Sequence, residues 1–350
     1  MNELLKKIIS ALLIVMVAVG ASGCGSNNKK TRYEAEFIGL FDTLTKIVGY
    51  SDSKEEFTKY SQLIYDSLQE YNNYYDIYND YPGINNIKTI NDNAGIKPVN
   101  VDKKIIDLLK FGKEVYIKTN GRLNMAMGSV LSIWHKYRED GIKDEENAAL
   151  PPMEILKNAA RYTDINKVII DEVNSTVFLE DKEMSLDVGA IGKGYATEQV
   201  AQLAMENGFT SGLLSVGGNV RAIGSKEGKK WSLGVQNPDK ESENTSLLTV
   251  EITDSSLVTS GDYERYYIVD GKEYNHLINP DTLYPGEYYH SVTILCKDSG
   301  LADALSTSVF VMPFDEGKKY IDSLPDIEAM WVMKNGEIRY SKNFEKYIKK

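Results

Sequence analysis

The sequence predicts an α+β fold, in which mixed β-sheets pack against helices. Segments with the apolar patterns of strands are interspersed with segments whose apolar residues recur at helical spacing. This irregular order, with hairpin-like strands and intervening helices, is typical of α+β domains. The chain has 350 residues, of which 42% are hydrophobic and 26% charged, as in ordinary globular proteins.

The predicted elements follow the chain in that mixed order. Helices are predicted over residues 55–72, 105–118 and 193–206, and glycine stop signals follow the last two at Gly121 and Gly208. Strands are predicted over residues 40–49, 168–179, 212–216, 231–235, 247–253 and 291–295. Residues 139–152 contain several acids and a Pro-Pro pair, so we expect an exposed loop there and regard it as the best candidate for an insertion.

The N-terminus predicts a sorting signal. Two lysines, an apolar run over residues 8–19 and three small residues precede Cys24, in a pattern that resembles a bacterial lipobox. The prediction is a signal peptide over residues 1–23, lipidation of Cys24 and a flexible tether over residues 24–34, with the protein anchored to the extracytoplasmic face of the cell membrane. A plain cleaved signal peptide and an uncleaved anchor are the alternatives.

Charge and cysteine content narrow the functional classes. The formal net charge is −11, and removal of residues 1–23, with two lysines and one glutamate, would make it −12. So acidic a chain lacks the surplus cations that nucleic-acid binding requires, and we expect no nucleic-acid partner. Apart from Cys24 the only cysteine is Cys296, so we expect no intrachain disulfide if Cys24 is acylated. The alternating apolar surroundings of Cys296 favour a buried strand residue over a nucleophile.

Five short segments point to a phosphorylated ligand. They are DVGAIGKGYAT at 187–197, SVGGN at 215–219, TSGDYERY at 259–266, HLINP at 276–280 and ADALST at 302–307. Glycine-dense turns let backbone N–H groups approach a phosphate closely, because no Cβ atom obstructs the approach. A single such turn is most often structural. Five within about 120 residues favour a binding site.

Two of these segments carry candidate catalytic groups. Asp303 and Thr307 are four residues apart, so on a helix they share a face and present hard oxygens to one point, as Mg²⁺ prefers. The alternative for Asp303 is an acid that stabilises the start of a helix. His276 is a candidate base or a structural histidine. His135 follows Trp134 in an apolar helix and is interpreted as structural.

The order and wording of the five segments resemble the ApbE family, the FAD:protein FMN transferases. This resemblance implies a flavin transferase domain over residues 35–345 with a T-fold-related architecture and an FAD site between two lobes. It also implies Mg²⁺, FAD as substrate, and attachment of FMN through a phosphoester bond to a Thr or Ser of an extracytoplasmic or membrane redox protein. The expected partners are therefore FAD, the acceptor protein and, through the lipid anchor, the membrane.

The resemblance also assigns residues. It implies that His276 is the catalytic base and that Asp303, Thr307 and the backbone carbonyl of Ala190 hold the metal. The implied FAD contacts are Phe41, Tyr78, Asn124, Met125, Asp187, Lys193, Asp262 and Leu277. The chain departs from the family pattern at Phe41-Asp42, Asn124, Asn279 and Leu283, and these departures concern the flavin contacts more than the metal site.

Some assignments have a plainer interpretation. Five tyrosines fall within residues 71–81, and they either pack as an aromatic seam or provide a ring, such as Tyr78, that covers the flavin. Asp262, Glu264 and Arg265 either form a salt bridge that steadies their loop or contact FAD or the acceptor. The alternatives to a transferase are an FAD pyrophosphatase, in which water replaces the acceptor, and a non-enzymatic FAD-binding lipoprotein.

Overall fold

A computed structural model describes residues 30–350. Within these residues there are eight α-helices: α1 (Lys54–Tyr75), α2 (Ile87–Asp92), α3 (Lys103–Lys118), α4 (Gly128–Lys143), α5 (Met153–Ala159), α6 (Gly192–Glu206), α7 (Ser299–Phe310) and α8 (Phe314–Ser323). The same residues form fifteen strands: β1 (Thr31–Leu40), β2 (Thr43–Ser51), β3 (Val99–Asn100), β4 (Val168–Asp171), β5 (Thr176–Leu179), β6 (Ser211–Val216), β7 (Asn219–Gly224), β8 (Trp231–Gln236), β9 (Ser246–Ile252), β10 (Ser256–Gly261), β11 (Tyr266–Val269), β12 (Lys272–Asn275), β13 (Tyr289–Cys296), β14 (Glu328–Met333) and β15 (Ile338–Tyr340). No helix within these residues has the length and apolar character that a membrane crossing requires.

One large sheet organises the chain. Its eight strands lie in the order β1-β2-β6-β7-β10-β13-β14-β15, and every neighbouring pair is antiparallel. The hairpins β8-β9 and β11-β12 and the three-stranded sheet β3-β5-β4 complete the β-structure of the described residues. Helices and sheets are mixed along the chain, so the predicted α+β class is confirmed.

Helices α1, α6 and α7 pack on the large sheet because their apolar faces are buried there. On α1, Phe57, Ile64 and Leu68 are at most 1% exposed, and Ser53 caps the helix by accepting a hydrogen bond from the Glu56 N–H at 3.1 Å. Helix α7 is buried on almost every side, and it packs against α6, β10 and β13. Its residues therefore have fixed positions relative to the sheet.

The structure corrects several predicted boundaries. Residues 31–34, predicted as part of the tether, belong to β1, whose alternating Tyr33, Ala35 and Phe37 are buried. The strand predicted at 40–49 is the second arm of the β1-β2 hairpin, and the strand predicted at 168–179 is the hairpin β4-β5. Residues 139–143 complete α4, while most of 144–152 is exposed as expected. The signal peptide, Cys24 and the first part of the tether lie outside the described residues.

Candidate functional site

A cleft of about 550 Å³ opens beside the large sheet. Its walls come from the β1-β2 turn, the chain after α1, the loop before α4, the loop before α6, the end of β10 and helix α7. It collects eleven of the predicted site residues: Phe41, Tyr78, Asn124, Met125, Asp187, Ala190, Lys193, His276, Leu277, Asp303 and Thr307. Residues that are up to 266 positions apart in the chain, Phe41 and Thr307, thus share one cavity wall.

Asp303 and Thr307 lie one turn apart on α7 and both line the cleft. Asp303 is 4% exposed, and its Oδ2 accepts a hydrogen bond from the Gly194 N–H at 2.8 Å. Burial raises the pKa of the Asp303 carboxyl, while the charge of Lys193 and the Gly194 hydrogen bond oppose that rise. The Lys193 Nζ lies 3.9 Å from Asp303 Oδ1, close enough for attraction.

These oxygens fit a hard cation that takes few ligands from the protein. The Thr307 hydroxyl lies in the cleft wall, where it can serve as an oxygen ligand beside Asp303. It is 3.3 Å from Ser260 Oγ. Among residues 30–350 no group of three or more His, Cys, Asp and Glu side chains is arranged to hold a metal. Mg²⁺ suits such a set, because it commonly keeps waters or substrate phosphate oxygens as its remaining ligands.

Gly194 allows α6 and α7 to approach closely at the site. A Cβ atom on Gly194 would lie 2.3 Å from the Asp303 Cβ and 2.4 Å from the Ser299 carbonyl oxygen. Both distances are far below van der Waals contact between such atoms. Gly194, the second glycine of GKG, therefore allows the close packing that positions Asp303, and its N–H also donates to the Asp303 carboxylate.

A buried ion pair also holds α6 and α7 together. Arg221 on β7 and Glu198 on α6 are 1% and 3% exposed, and the Arg221 Nε lies 2.9 Å from Glu198 Oε2. The same oxygen accepts a hydrogen bond from the Ser299 N–H at 2.9 Å, at the first residue of α7. One carboxylate thus joins α6, β7 and the start of α7. No sequence signal marks this pair, because neither residue belongs to a recognisable motif.

His276 lies in the cleft wall as a neutral imidazole. Its backbone N–H donates to the Arg265 carbonyl at 3.0 Å, and its Nδ1 lies 3.2 Å from the same oxygen. A carbonyl can only accept, so Nδ1 carries the proton and Nε2 keeps a free lone pair. Burial, with the positive charges of Arg265 and Arg138, lowers the pKa of His276 to about 3. The ring is therefore unprotonated at neutral pH.

His135 also lines the cleft, which the sequence analysis did not foresee. Its Nδ1 lies 2.9 Å from the Tyr78 hydroxyl, and both residues form part of the cleft wall. Burial lowers the pKa of His135, against the raising effect of the Asp187 charge. His135 therefore lies at the cleft, and its interpretation as a structural histidine stays a prediction. No sequence signal marks it, since it follows the buried Trp134 on an ordinary amphipathic helix.

The tyrosine-rich stretch divides into two parts. Tyr71 and Tyr75 are buried in the core at 8% and 5% exposure, as expected for an aromatic seam. Tyr78 is 60% exposed and lines the cleft, as expected for a ring that could cover a flat ligand. The aromatic-seam interpretation therefore applies to Tyr71 and Tyr75, and the flavin-covering role of Tyr78 stays a prediction.

The β1-β2 turn places Phe41 at the cleft by an uncommon backbone. Phe41 and Asp42 have φ angles of 52° and 55°, a left-handed pair that closes tight hairpins and that glycine or asparagine usually occupies. The Phe41 N–H donates to Asn72 Oδ1 at 2.7 Å, which ties the turn to α1. Asn72 is thus a further residue that supports the cleft.

Asn124 and Asp187 shape the loops that carry them. The Asn124 amide donates to the Thr163 carbonyl at 2.8 Å, and its oxygen accepts from the Ala126 N–H at 2.9 Å. Asp187 Oδ1 accepts from the Gly189 N–H at 2.8 Å. The Asp187 N–H in turn donates to the Met125 carbonyl at 2.8 Å, so the two loops are held together. Leu277 is 6% exposed and contributes apolar wall.

Asp262 does not reach the cleft wall. It is 4% exposed, its Oδ2 lies 3.1 Å from His290 Nδ1, and the same oxygen contacts Lys334. The salt-bridge interpretation of Asp262 therefore applies, and its predicted role as an FAD contact does not fit this placement. Its neighbours Glu264 and Arg265 do line the cleft.

Two further residues have structural roles. Cys296 is 3% exposed on β13, and burial raises the pKa of its thiol to about 12, which confirms that it is a buried strand residue. Asn279 donates to the Val311 carbonyl at 3.1 Å and accepts from the Asp281 N–H at 2.9 Å, so its amide ties its own loop to the end of α7.

Comparison with known proteins places the chain in a family. The sequence model of the ApbE family matches residues 41–331. A Treponema pallidum protein named FAD:protein FMN transferase is 28% identical over 346 residues, covering 94% of this chain and 92% of that protein. A protein of the same name from Klebsiella pneumoniae is 29% identical over 253 residues, covering 72% and 76%.

Solved structures agree. The crystal structure of the ApbE protein from Thermotoga maritima has a TM-score of 0.80 and 28% identity, covering 91% of this chain and 100% of that chain. The flavin transferase ApbE from Vibrio cholerae shares the fold, with a TM-score of 0.72, 22% identity and coverage of 90% and 99%. On its sequence match over residues 41–331, this chain belongs to the ApbE family.

Proposed function

We propose that this protein transfers FMN from FAD to a Thr or Ser hydroxyl of an acceptor protein, forming a phosphoester and releasing AMP. The curated relatives named FAD:protein FMN transferase support the reaction class. The observation that carries the proposal is that a neutral histidine, a lysine and a buried carboxylate share one cleft, namely His276, Lys193 and Asp303.

Each group has a distinct task in this reaction. The acceptor hydroxyl oxygen attacks the phosphorus on the FMN side of FAD, and the bond from that phosphorus to the bridging oxygen breaks, so that AMP leaves. His276 Nε2 takes the proton of the attacking hydroxyl, since its lone pair is free and the residue lines the cleft. The negative charge of a bound pyrophosphate would offset the Arg265 and Arg138 charges that lower the pKa of His276. Lys193 screens the negative charge of the pyrophosphate.

We propose that Asp303, Thr307 and the Ala190 carbonyl hold Mg²⁺. The burial of Asp303 and the hard oxygens in the cleft support this assignment. A bound Mg²⁺ would supply neutralisation of the charge on the transferring phosphoryl group. Phe41, Tyr78, Asn124, Met125, Asp187 and Leu277 would form the walls around FAD, and their positions in the cleft support that role.

The proposed setting is the extracytoplasmic face of the cell membrane. Lipidation at Cys24, which the sequence pattern before it supports, would anchor the protein there. The acceptor would then be an extracytoplasmic or membrane redox protein with an accessible Thr or Ser. Both statements rest on the sequence and the family resemblance.

The test uses the full chain purified in detergent. It is incubated with FAD, Mg²⁺ and candidate Thr-containing acceptors, and acceptor mass and free nucleotides are measured. A gain of one FMN per acceptor together with AMP release supports the transferase. Free FMN plus AMP, with the acceptor unchanged, would identify an FAD pyrophosphatase instead. Bound FAD without either product would leave a flavin-binding lipoprotein. The matched control is the same reaction with excess EDTA, in which we expect no transfer.

A further inference from the structure

The outer face of the β1-β2 hairpin changes character at the cleft rim. Along this face Glu34 and Glu36 on β1 flank Lys46 on β2, with Nζ to carboxylate distances of 3.3 and 3.0 Å. The last pair on the same face is Ile38 and Leu44, which lie directly opposite each other and are 85% and 51% exposed. An ion-paired surface thus ends in an apolar pair.

This pair, the rim pair, lies where a large substrate must approach. The next residues of the hairpin, Gly39, Phe41 and Thr43, line the cleft itself. A folded acceptor is wider than a cleft of about 550 Å³, so only the segment with the reactive hydroxyl can enter. The surface around that segment must then rest on the rim. Isolated exposed apolar residues need no explanation, but two that face each other at this point do.

We propose that Ile38 and Leu44 form a docking contact for an apolar surface of the acceptor protein, beside its modified Thr or Ser. This inference rests on the proposed function, since it needs a protein as the second substrate. Apolar residues at the centre of a protein interface supply much of its binding free energy, whereas ion-paired residues at its edge supply little. The two halves of the hairpin face match that division.

A lipid surface is the less favoured occupant because the proposed anchor at Cys24 precedes the opposite end of β1. The described chain enters β1 at Thr31, and the rim pair lies at the other end of that strand. At about 3.3 Å per residue the strand carries the rim pair roughly 25 Å from Thr31. An anchor at Cys24 would therefore hold the opposite end of the hairpin near the membrane.

The test is the double variant Ile38→Thr with Leu44→Thr in the full chain. Threonine is β-branched, a shape that strands favour, and it removes most of the apolar surface of Ile38 and Leu44. With a protein acceptor that the parent labels, we expect kcat/KM for the acceptor to fall about tenfold or more, mainly through KM. FAD binding, read from flavin fluorescence, and the melting temperature should not change. The matched control is Val173→Thr, which is 94% exposed in the β4-β5 turn and outside the cleft wall.

A second acceptor sharpens the test. A short peptide with only the Thr-containing segment lacks the surrounding surface, so the parent and the double variant should label it equally well. Equal kcat/KM of the two enzymes for the protein acceptor would overturn the inference, and so would an equal loss with the peptide. Normal labelling combined with lost binding to phosphatidylglycerol vesicles would assign the rim pair to lipid and also overturn it. If the parent labels no acceptor, the proposed function itself fails. That failure is seen in the parent enzyme, so it is distinguishable from a failure of the docking inference, which is seen only when the double variant is compared with an active parent.

Discussion

Substitution of Gly194 by alanine tests how the packing of α6 on α7 positions Asp303. The added Cβ would lie 2.3 Å from the Asp303 Cβ, so the two helices must separate by more than 1 Å to reach normal contact. Such overpacking costs about 1–3 kcal/mol, and alanine in a helix returns up to about 1 kcal/mol. We therefore expect a net loss of roughly 0–2 kcal/mol in the free energy of unfolding.

Activity should suffer much more than stability in this variant. A displacement of about 1 Å at a catalytic group can lower the rate about 100-fold, and Gly194→Ala moves the carboxylate that faces Lys193. The assay is single-turnover FMN transfer, together with thermal unfolding. Gly317→Ala on α8 is the matched control, because the nearest atom to its added Cβ would be a Val309 methyl at 3.0 Å, and the next two would lie at 3.7 and 3.8 Å. Near-parental transfer by Gly194→Ala would refute the reasoning that this contact positions Asp303.

Three further outcomes follow from the same structure. Asp303→Asn should abolish Mg²⁺-dependent transfer while the protein stays folded, and Thr307→Ala should reduce it less, because a neutral hydroxyl attracts a divalent cation less. Mg²⁺ titrations of the transfer rate decide, and an unchanged Mg²⁺ dependence in Asp303→Asn would refute the metal assignment. Arg221→Met should lower the free energy of unfolding by about 3–5 kcal/mol, because Glu198 remains buried without its partner. The double variant Arg221→Met with Glu198→Gln should lose less, and denaturant unfolding measures both losses; equal losses would contradict the pairing. Cys24→Ala should release the protein from the membrane fraction, and fatty-acid labelling that persists in the variant would exclude the lipobox.

Much of the site could be predicted from the sequence because its residues lie in short motifs. The GKG, HLINP and ADALST segments each bring a chemical group together with the turn or helix that places it, so Lys193, His276 and Asp303 were identified individually. The fold class followed from apolar periodicity. Boundaries failed at the hairpins. The prediction of one strand over 168–179 passed over the mostly polar stretch at 171–176, which includes the left-handed turn residue Ser175 and separates two apolar runs.

The remaining site features depend on tertiary packing. Whether Asp262 faces the cleft or pairs with Lys334 depends on where β14 lies, which no local pattern encodes. His135 reaches the cleft only because α4 packs beside the chain that carries Tyr78. The pKa of His276 also depends on its surroundings: an ordinary histidine would lose its basic form below about pH 6.5.

In the structure, His276 loses its basic, unprotonated form only at a lower pH than an ordinary histidine. The lowered pKa leaves His276 unprotonated at every pH above about 3, so protonation removes the base only as the pH falls towards 3. In kcat/KM for FAD, which reports the free enzyme, we therefore expect no acid limb from His276 between about pH 5 and 7. An acid limb near pH 6.5 that His276→Ala abolishes would show that Arg265 and burial do not depress the pKa.

The most direct test of the central claim separates FAD binding from FMN transfer in His276→Ala. If His276 Nε2 accepts the hydroxyl proton, the imidazole acts in the transition state and contributes little to ground-state binding. FAD affinity should stay within about twofold of the parent, while single-turnover transfer slows by about 100-fold or more. His290→Ala, whose ring pairs with Asp262 outside the cleft wall, is the matched control and should transfer normally. Transfer at the parental rate in His276→Ala, or a loss of FAD affinity in proportion to the loss of rate, would contradict a role for His276 as the base.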